Sequence, residues 1–371
     1  MTTSFVPKKK WGIASLSLIA ASALVLSGCG APPGEGGDGG STAAATQYGD
    51  FLGCIVSDSG GFNDQSFNQS SYEGLEQAKA EFGINVKEAQ SKADSDYAPN
   101  MNQMMQAGCD LTLSVGFKLA DATKAAATEN PDAKFAIIDF GDLGVPNVKP
   151  IQYDTAQAAF LAGYLAAGQT KTGKVGTFGG IKLPTVTIFM DGFYDGVQYY
   201  NEQKGKNVEV LGWNKDTQEG AFANTFEIIQ EGTKAAQNLI NEGADIVLPV
   251  AGPLGSGAGD AVLAANDAGK DVSLIWVDSD GYESAPKYKS IILTSVMKQM
   301  KKSAYEVTKE TAEGNFSAEP YIGTLENDGV GLAEFHDFDS KVSDEMKKEL
   351  EDIKAGIIDG SIKVESAASP K

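Results

Sequence analysis

The sequence predicts an α/β protein of two similar lobes, each a parallel sheet flanked by helices, with a ligand cleft between them. Short apolar runs typical of buried strands alternate with segments of helical periodicity, as parallel sheets covered by helices require. In chain order the runs are FLGCIV, VKEAQ, LTLSV, FAIID, KVGTF, VEVLGW, DIVLPV, SLIWVD and IILTSV. About 320 residues follow residue 50, which is enough for two lobes.

An internal repeat supports this division into two lobes. MMQAGCDLTLSVG, residues 104–116, aligns with LINEGADIVLPVA, residues 239–251, as a helix end, a glycine, an aspartate and a buried strand. Before these segments Phe67 matches Phe189, and after them Asp139 matches Asp278. The matches keep one order at spacings of about 120 to 140 residues, so we predict that one lobe follows the other.

The N-terminus is typical of a bacterial lipoprotein. Three lysines, residues 8–10, precede an apolar run over residues 11–26, which is shorter than the roughly 20 residues of a membrane span. The following LSGC resembles a lipobox, so we predict a signal peptide over residues 1–28 and a lipid-modified Cys29 at the outer face of the cell membrane. An ordinary signal peptide with an incidental cysteine is the alternative.

The segment after Cys29 lacks the side chains that a core needs. APPGEGGDGGSTAAATQ, residues 31–47, contains no large apolar residue. We therefore predict a flexible tether over residues 29–49, with a root-mean-square reach of roughly 25 Å.

The charge balance limits the classes of ligand. The chain has 50 acidic and 30 basic residues, which excludes a general nucleic-acid binder because that function needs a basic face. All of the basic residues are lysines, so the bidentate arginine fork that usually holds carboxylates or phosphates is missing. A neutral ligand is therefore favoured over an anionic one.

Histidine and cysteine give little sign of catalysis. The single histidine, His336, stands in LAEFHDFDSK, a segment typical of an exposed surface, and we predict neither a catalytic role for it nor a metal or cofactor. After processing, Cys54 and Cys109 remain. Outside the cell they can form a disulfide or stay as two buried thiols, and the sequence leaves both open.

Polar and aromatic residues gather just past the predicted strands, where open α/β sheets bind their ligands. They are Asp58, Phe67, Asn68, Gly116, Phe117 and Asp139 in the first lobe and Trp213, Ala251, Gly252 and Asp278 in the second, with Lys298 just after the last apolar run. Carboxylates accept protons from hydroxyls and amines, and aromatic faces stack on flat rings. The set suits a polyhydroxylated ring joined to a planar base, although a sugar alone would also stack.

Simpler roles exist for single residues of this set. Asp58 and Asp139 can cap helices, and Phe67 can pack in a first helical turn. Phe189 and Phe193 lie four residues apart on a predicted helix, so we assign both to packing. AGPLGSGAGD does not fit the G-x-G-x-x-G frame, and DSDGYE lacks the later ligands of a calcium loop.

Five segments resemble the basic membrane protein family, the lipid-anchored substrate-binding proteins of ABC transporters that include purine nucleoside receptors. They are DSGGFNDQSFNQSSYEGL, GGIKLPTVTIFMDGF, GADIVLPVAGPLGSG, VDSDGY and ILTSVMK, in the family's order from about Leu52 to the C-terminal region. The resemblance implies a type I periplasmic-binding fold with a three-strand hinge and nucleoside binding without catalysis. We expect a monomer that works with ABC permease subunits.

The resemblance also assigns residues to the base of the nucleoside. It implies that Phe67 and Trp213 stack on the two faces of the base. Asp58 and Asn68 would contact the base edge, with Asp139 nearby.

The same resemblance assigns Gly252, Asp278 and Lys298 to the ribose. The sequence departs from the family pattern at two places, one beside the ribose and one beside Trp213. Pro253 replaces a family glycine and removes a backbone donor. The segment NKDTQEGAFANTFEIIQEG, which follows Trp213, is longer than usual.

For the lobes we predict residues 50–170 with about 296–325 as lobe one, and 171–295 with about 326–371 as lobe two. Other functions remain open alongside the nucleoside receptor. They are a receptor for a sugar or another small polar solute, a nucleoside hydrolase that uses Asp58 and Asp139, and a surface adhesin without a cleft ligand.

Overall fold

The computed structural model describes residues 47–370, and it confirms the α/β prediction with two six-stranded sheets flanked by helices. The predicted signal peptide, the lipidated Cys29 and nearly all of the tether lie outside the described residues. The strands are β1 (Leu52–Ser57), β2 (Asn85–Ala89), β3 (Leu111–Val115), β4 (Lys134–Ile138), β5 (Val148–Tyr153), β6 (Lys174–Gly179), β7 (Glu209–Leu211), β8 (Trp213–Asn214), β9 (Glu219–Gly220), β10 (Ile246–Val250), β11 (Ser273–Asp278), β12 (Ile292–Lys298), β13 (Tyr321–Gly323) and β14 (Val330–Leu332). The α-helices are α1 (Phe67–Phe82), α2 (Tyr97–Ala107), α3 (Ala120–Glu129), α4 (Thr155–Gln169), α5 (Pro184–Lys204), α6 (Ile229–Asn241), α7 (Gly255–Asp267), α8 (Gly281–Ser284), α9 (Met300–Ala312) and α10 (Asp344–Ile358).

The two sheets repeat one strand order. The first runs β2-β1-β3-β4-β5-β13 and the second β7-β6-β10-β11-β12-β14. Neighbouring strands are parallel throughout, except that β14 runs antiparallel to β12. The internal repeat of the sequence therefore corresponds to equivalent strands of the two sheets.

Among the strands of the two six-stranded sheets, the sequence prediction missed β5, β13 and β14. β5 contains Pro150, which has no N–H for the strand ladder and so argues against a strand inside a sheet. β13 and β14 have three residues each, too few for a clear alternating pattern.

The chain crosses between the two sheets three times: after β5, after β12 and between β13 and β14. The crossing segments lie side by side, because the Asp154 N–H donates to the Gly323 carbonyl at 2.8 Å and the Gln299 N–H to the Gly329 carbonyl at 2.9 Å. Helix α9 then returns to pack on α1 of the first lobe. Each lobe is thus built from separate stretches of chain.

Helix α4 differs from the lobe boundaries expected from the sequence, which placed residues up to 170 in lobe one. It packs on β12 and β14 of the second sheet and along α5. The two helices lie very close together, since a Cβ on Gly163 would come within 2.1 Å of the Phe193 carbonyl oxygen and one on Gly196 within 1.9 Å of the Phe160 carbonyl oxygen. The first crossing therefore lies at Asp154, before the helix rather than after it.

A disulfide joins Cys54 in β1 to Cys109 just before β3. The bond links two neighbouring strands of the first sheet across 55 residues of sequence. Of the two states that the sequence left open for these cysteines, a disulfide or two buried thiols, the structure has the disulfide. Within residues 47–370, no helix is long and apolar enough to cross a membrane.

Candidate ligand site

A cavity lies between the lobes at the carboxyl ends of the strands. It holds about 660 Å³ of empty space, counting the solvent at its mouth. Seven of the eight residues predicted to contact a ligand line it, namely Asp58, Phe67, Asn68, Asp139, Gly252, Asp278 and Lys298. Their roles toward a ligand stay a prediction.

A buried lysine lies at the centre of the cavity wall. Lys298, at the end of β12, is 4% exposed, and its Nζ lies 2.6 Å from Asp139 Oδ2 and 3.8 Å from Asp278 Oδ1. The same ammonium faces the rings of Phe67 and Phe189, with centroids at 5.1 and 5.2 Å. Burial raises the pKa of the Asp139 carboxyl, the Lys298 charge opposes that shift, and the Asp278 charge adds to it. The Lys298 ammonium therefore lies close to one carboxylate from each lobe.

The two carboxylates share an uncommon backbone conformation. Asp139 follows β4 with φ of 65°, and Asp278 ends β11 with φ of 72°. A positive φ is unfavourable for a residue with a side chain, although aspartate tolerates it better than most, and such residues concentrate at functional sites. The internal repeat aligned these two positions, so the strain occurs at equivalent places in the two sheets.

The loop after β1 uses an aspartate that the sequence prediction missed. Asp64 accepts hydrogen bonds from the backbone N–H groups of Ser66, Asn68 and Gln69 at 3.0, 2.8 and 3.0 Å. These bonds satisfy the otherwise free donors of the first turn of α1. The capping role considered for Asp58 therefore belongs to Asp64. The signal in the sequence is an aspartate placed just before the start of α1, where side-chain oxygens commonly accept from the first N–H groups of a helix.

Asp58 is consequently available to the cavity. Its Oδ1 accepts from Asn68 Nδ2 at 2.7 Å and from the Gly60 N–H at 3.1 Å, while within residues 47–370 no donor lies within hydrogen-bonding distance of its Oδ2. Burial raises the pKa of Asp58 to about 6, although the hydrogen bonds from Asn68 and Gly60 lower it. Gly116, with φ of 117°, leaves room for the carboxylate, because a Cβ there would come within 2.7 Å of Oδ2.

The lobes contact each other directly beside this loop. Ser66 Oγ donates to Asp278 Oδ2 at 2.6 Å. The Gln65 carbonyl accepts from Trp276 Nε1 at 3.3 Å and from Ser279 Oγ at 3.2 Å. The structure therefore has the lobes drawn together over the cavity.

Trp213, the eighth predicted residue, does not line the cavity. It is 4% exposed, and its Nε1 donates to Asp191 Oδ1 at 3.0 Å. Phe222 packs against it edge to face, with ring centroids 6.0 Å apart. Trp213 starts the short β8–β9 hairpin, and the chain beyond the hairpin brings a different ring, that of Phe226, to the cavity.

Gly180 makes room for the Phe226 ring. A Cβ on Gly180, just after β6, would come within 2.2 Å of the ring, so only glycine permits this approach. Phe226 belongs to the long segment after Trp213 in which the sequence departs from the family pattern. Phe189, assigned only to packing, is 1% exposed and also forms part of the cavity wall.

His336 lies away from the cavity, as its surface-type sequence indicated. Its Nε2 lies 2.7 Å from Asp280 Oδ2, and its ring stacks on Tyr282. Among residues 47–370 there is also no group of three His, Cys, Asp or Glu side chains arranged to hold a metal ion.

Two lobes of equal strand order, three crossings and a polar cleft at the strand ends are the features of the type I periplasmic-binding-protein fold. A family model described as ABC transporter substrate-binding protein PnrA-like matches residues 52–367, and the chain belongs to this family. The resemblance seen in the motifs is confirmed.

Individual relatives match over nearly their full length. The chain is 31% identical to the ABC transporter nucleoside-binding protein BmpA of Lactococcus lactis, over 96% of this chain and 99% of the relative. It is equally identical, with the same coverage, to the CD4+ T-cell-stimulating antigen of Listeria innocua. A solute-binding protein of an ABC transporter system from Aeropyrum pernix shares the fold, with a TM-score of 0.76 at 24% identity over 84% of this chain and 92% of that one.

Removing the buried cation should destabilise the protein. In Lys298→Met the carboxylates of Asp139 and Asp278 remain buried without compensation, so we expect the free energy of unfolding in urea at pH 7 to fall by about 3–5 kcal/mol. The loss should diminish as the pH is lowered, because burial raises the pKa of the Asp139 carboxyl and Lys298 no longer opposes that shift, so the carboxyl takes up a proton more readily.

Lys302→Met, on the exposed side of α9, is the matched control and should change stability by less than about 0.5 kcal/mol. Equal losses in the two variants would show that the central lysine does not stabilise the closed cleft.

Proposed function

We propose that the protein is a lipid-anchored receptor at the outer face of the cell membrane that binds a nucleoside, with purines favoured, and delivers it to an ABC importer. It acts as a binding protein and not as an enzyme. The observation that carries the proposal is a cavity with aromatic faces, a free buried carboxylate oxygen and a lysine held between two aspartates. The Lactococcus relative is named as a nucleoside-binding protein, which supports the same ligand class.

The base binds between aromatic rings and meets Asp58 at its edge. Phe67 of the first lobe and Phe226 of the second line the same cavity, and Phe226 takes the place first assigned to Trp213. The free Oδ2 of Asp58 accepts a hydrogen bond from an N–H of the base, and the Asn68 amide holds Asp58 in position. A purine with an N–H on its edge, such as hypoxanthine or guanine, offers that donor.

The sugar binds at the opposite polar group. Asp278 accepts from ribose hydroxyls and Lys298 donates to them, while Asp139 keeps Lys298 in place. Gly252 lets the backbone approach the sugar, since a Cβ there would meet no atom within 4 Å and the space belongs to the cavity. Two base stacks at about 1–3 kcal/mol each, with charged hydrogen bonds at about 1.5–3 kcal/mol each, are of the size that micromolar or tighter binding requires.

The charges of the cavity disfavour a phosphate. Asp58, Asp64, Asp139 and Asp278 line it against Lys118 and Lys298. Both lysines already have acidic partners, because Lys118 pairs with Asp94 at 3.0 Å and Lys298 with Asp139. A bound phosphate would therefore face uncompensated acids.

Calorimetric titration of the tether-free protein, unfolded and refolded to remove bound ligand, tests the proposal. We expect at least one nucleoside to bind with a Kd of about 1 μM or lower, and its 5′-monophosphate to bind at least about tenfold more weakly. Chromatography of the same mixture should recover intact nucleoside without free base. Binding of free ribose but of no nucleoside would refute the ligand class, and release of base would refute the receptor.

Affinity should depend on pH through Asp58. A ligand N–H needs the ionised carboxylate, and the Asp58 pKa is raised to about 6, so affinity should fall about tenfold between pH 7 and pH 5. Asp58→Asn should bind more weakly and lack most of this dependence. An unchanged pH profile in Asp58→Asn would place the titrating group elsewhere.

Ligand affinity in variants of Phe226 and Trp213 shows which of the two rings stacks on the base. Phe226→Ala removes a stacking face, and we expect a loss of affinity of about tenfold or more. Trp213→Phe keeps the buried ring and loses only the N–H to Asp191, so ligand affinity should stay within about threefold. The reverse order of effects would return the stacking role to Trp213.

A further inference from the structure

A second cavity adjoins the candidate ligand site on the side of the crossing segments. It contains about 730 Å³ of empty space, solvent at its mouth included. Phe117, Asp139, Thr185 and Lys298 line both cavities, so the two spaces meet at the Asp139–Lys298 pair. In the proposed function this pair lies at the sugar end of the ligand.

The wall of the second cavity carries an unsatisfied polar group. Thr155, the first residue of α4, is 0% exposed, and within residues 47–370 its Oγ1 has no hydrogen-bond partner. Buried hydroxyls are normally paired, and an unpaired one in a cavity wall indicates a place where a ligand atom can complete the bond. Gln152, from β5, adds an amide to the same wall.

The remaining wall is apolar and includes the C-terminal segment. Phe140 and Pro184 contribute from the two lobes, and Ala368 contributes from the chain end. Ala368 is held in place on both sides, because Ser366 Oγ donates to Asp191 Oδ2 at 2.6 Å and Ser369 Oγ to Asp154 Oδ1 at 3.1 Å. Apart from the Asp139–Lys298 pair, the described residues that line this cavity are uncharged.

We propose that the ligand pocket continues past the Asp139–Lys298 pair into this second cavity, which receives a small uncharged substituent at the 5′ end of a nucleoside. The inference rests on the proposed function and extends it from plain nucleosides to 5′-substituted ones. The apolar wall contacts an alkyl or alkylthio group, and Thr155 bonds to a polar atom of the substituent. A 5′-phosphate is disfavoured, because Lys298 is already paired and, among residues 47–370, no other cation lines this space.

Competition calorimetry with three forms of one nucleoside tests the inference: the parent, its 5′-methylthio derivative and its 5′-carboxamide derivative. We expect both derivatives to bind within about threefold of the parent. If the parent binds and both derivatives lose more than about a hundredfold, the second cavity is not part of the site. If the parent itself does not bind, it is the proposed function that fails.

Two variants locate the substituent. Ala368→Phe fills the cavity from the C-terminal segment, so it should weaken both derivatives by about tenfold or more and leave the parent within about threefold. Thr155→Val keeps the shape and removes the hydroxyl, so it should weaken only the carboxamide derivative, by about fivefold. The unchanged affinity of the parent shows that each variant is folded.

Two results would overturn the inference. Derivatives that bind equally well to Ala368→Phe and to the unaltered protein would place the substituent elsewhere. A uniform loss for all three ligands in Thr155→Val would give Thr155 a structural role only. A derivative carrying its substituent on the base is the control, and Ala368→Phe should not alter its affinity relative to the parent.

Discussion

The cleft depends on one buried ammonium group placed between two carboxylates from different lobes. Burying a charge is costly unless it is paired, and Lys298 meets that condition only while Asp139 of the first lobe and Asp278 of the second both lie close to it. Lys298 and Asp278 end neighbouring strands of the second sheet, whereas Asp139 follows a strand of the first, so a separation of the sheets would part Lys298 from Asp139. The electrostatics of the cleft are therefore tied to the position of the lobes.

That arrangement accounts for several otherwise separate features. Asp139 and Asp278 both have a strained positive φ, and both lie at strand ends that the repeat makes equivalent. Folded structures retain such strain where the surrounding contacts determine the conformation, and here the shared lysine supplies part of those contacts. The absence of arginine from the sequence fits the same picture, because a compact ammonium group can lie between two carboxylates and against ring faces where a planar guanidinium would need more width.

The sequence predicted the fold well wherever a long-range pattern supported a local one. The three ordered matches of the repeat indicated two equivalent lobes, and the two sheets with one strand order have that arrangement. The prediction failed where a local signal opposed the tertiary structure, as with Pro150 inside β5. It also failed for α4, because its position in the sequence gives no sign that the crossing precedes the helix.

For the site, residues attached directly to strand ends were the predictable ones. Asp58, Asp139, Asp278 and Lys298 follow or end strands, so the sheet alone places them at the cavity. Trp213 and Phe226 lie on the segment after β7, where a hairpin and the space left by Gly180 decide which ring lines the cavity. Thr155 was equally unpredictable. Its hydroxyl lacks a partner within residues 47–370, and it lies in one wall with the C-terminal segment; both facts depend on the packing of residues far apart in the sequence.

The direct contacts between the lobes have a consequence for affinity. The Gln65 carbonyl with its two donors and the bond from Ser66 to Asp278 stabilise the closed form without involving a ligand. A ligand is therefore not required to supply the whole free energy of closure, and its binding energy appears more fully as affinity. Asp278 takes part in a contact between the lobes and in the lysine cluster, because its Oδ2 accepts from Ser66 and its Oδ1 faces Lys298. A contact between the lobes and the charge balance of the cavity thus meet in a single carboxylate, so a change at Asp278 should disturb both together.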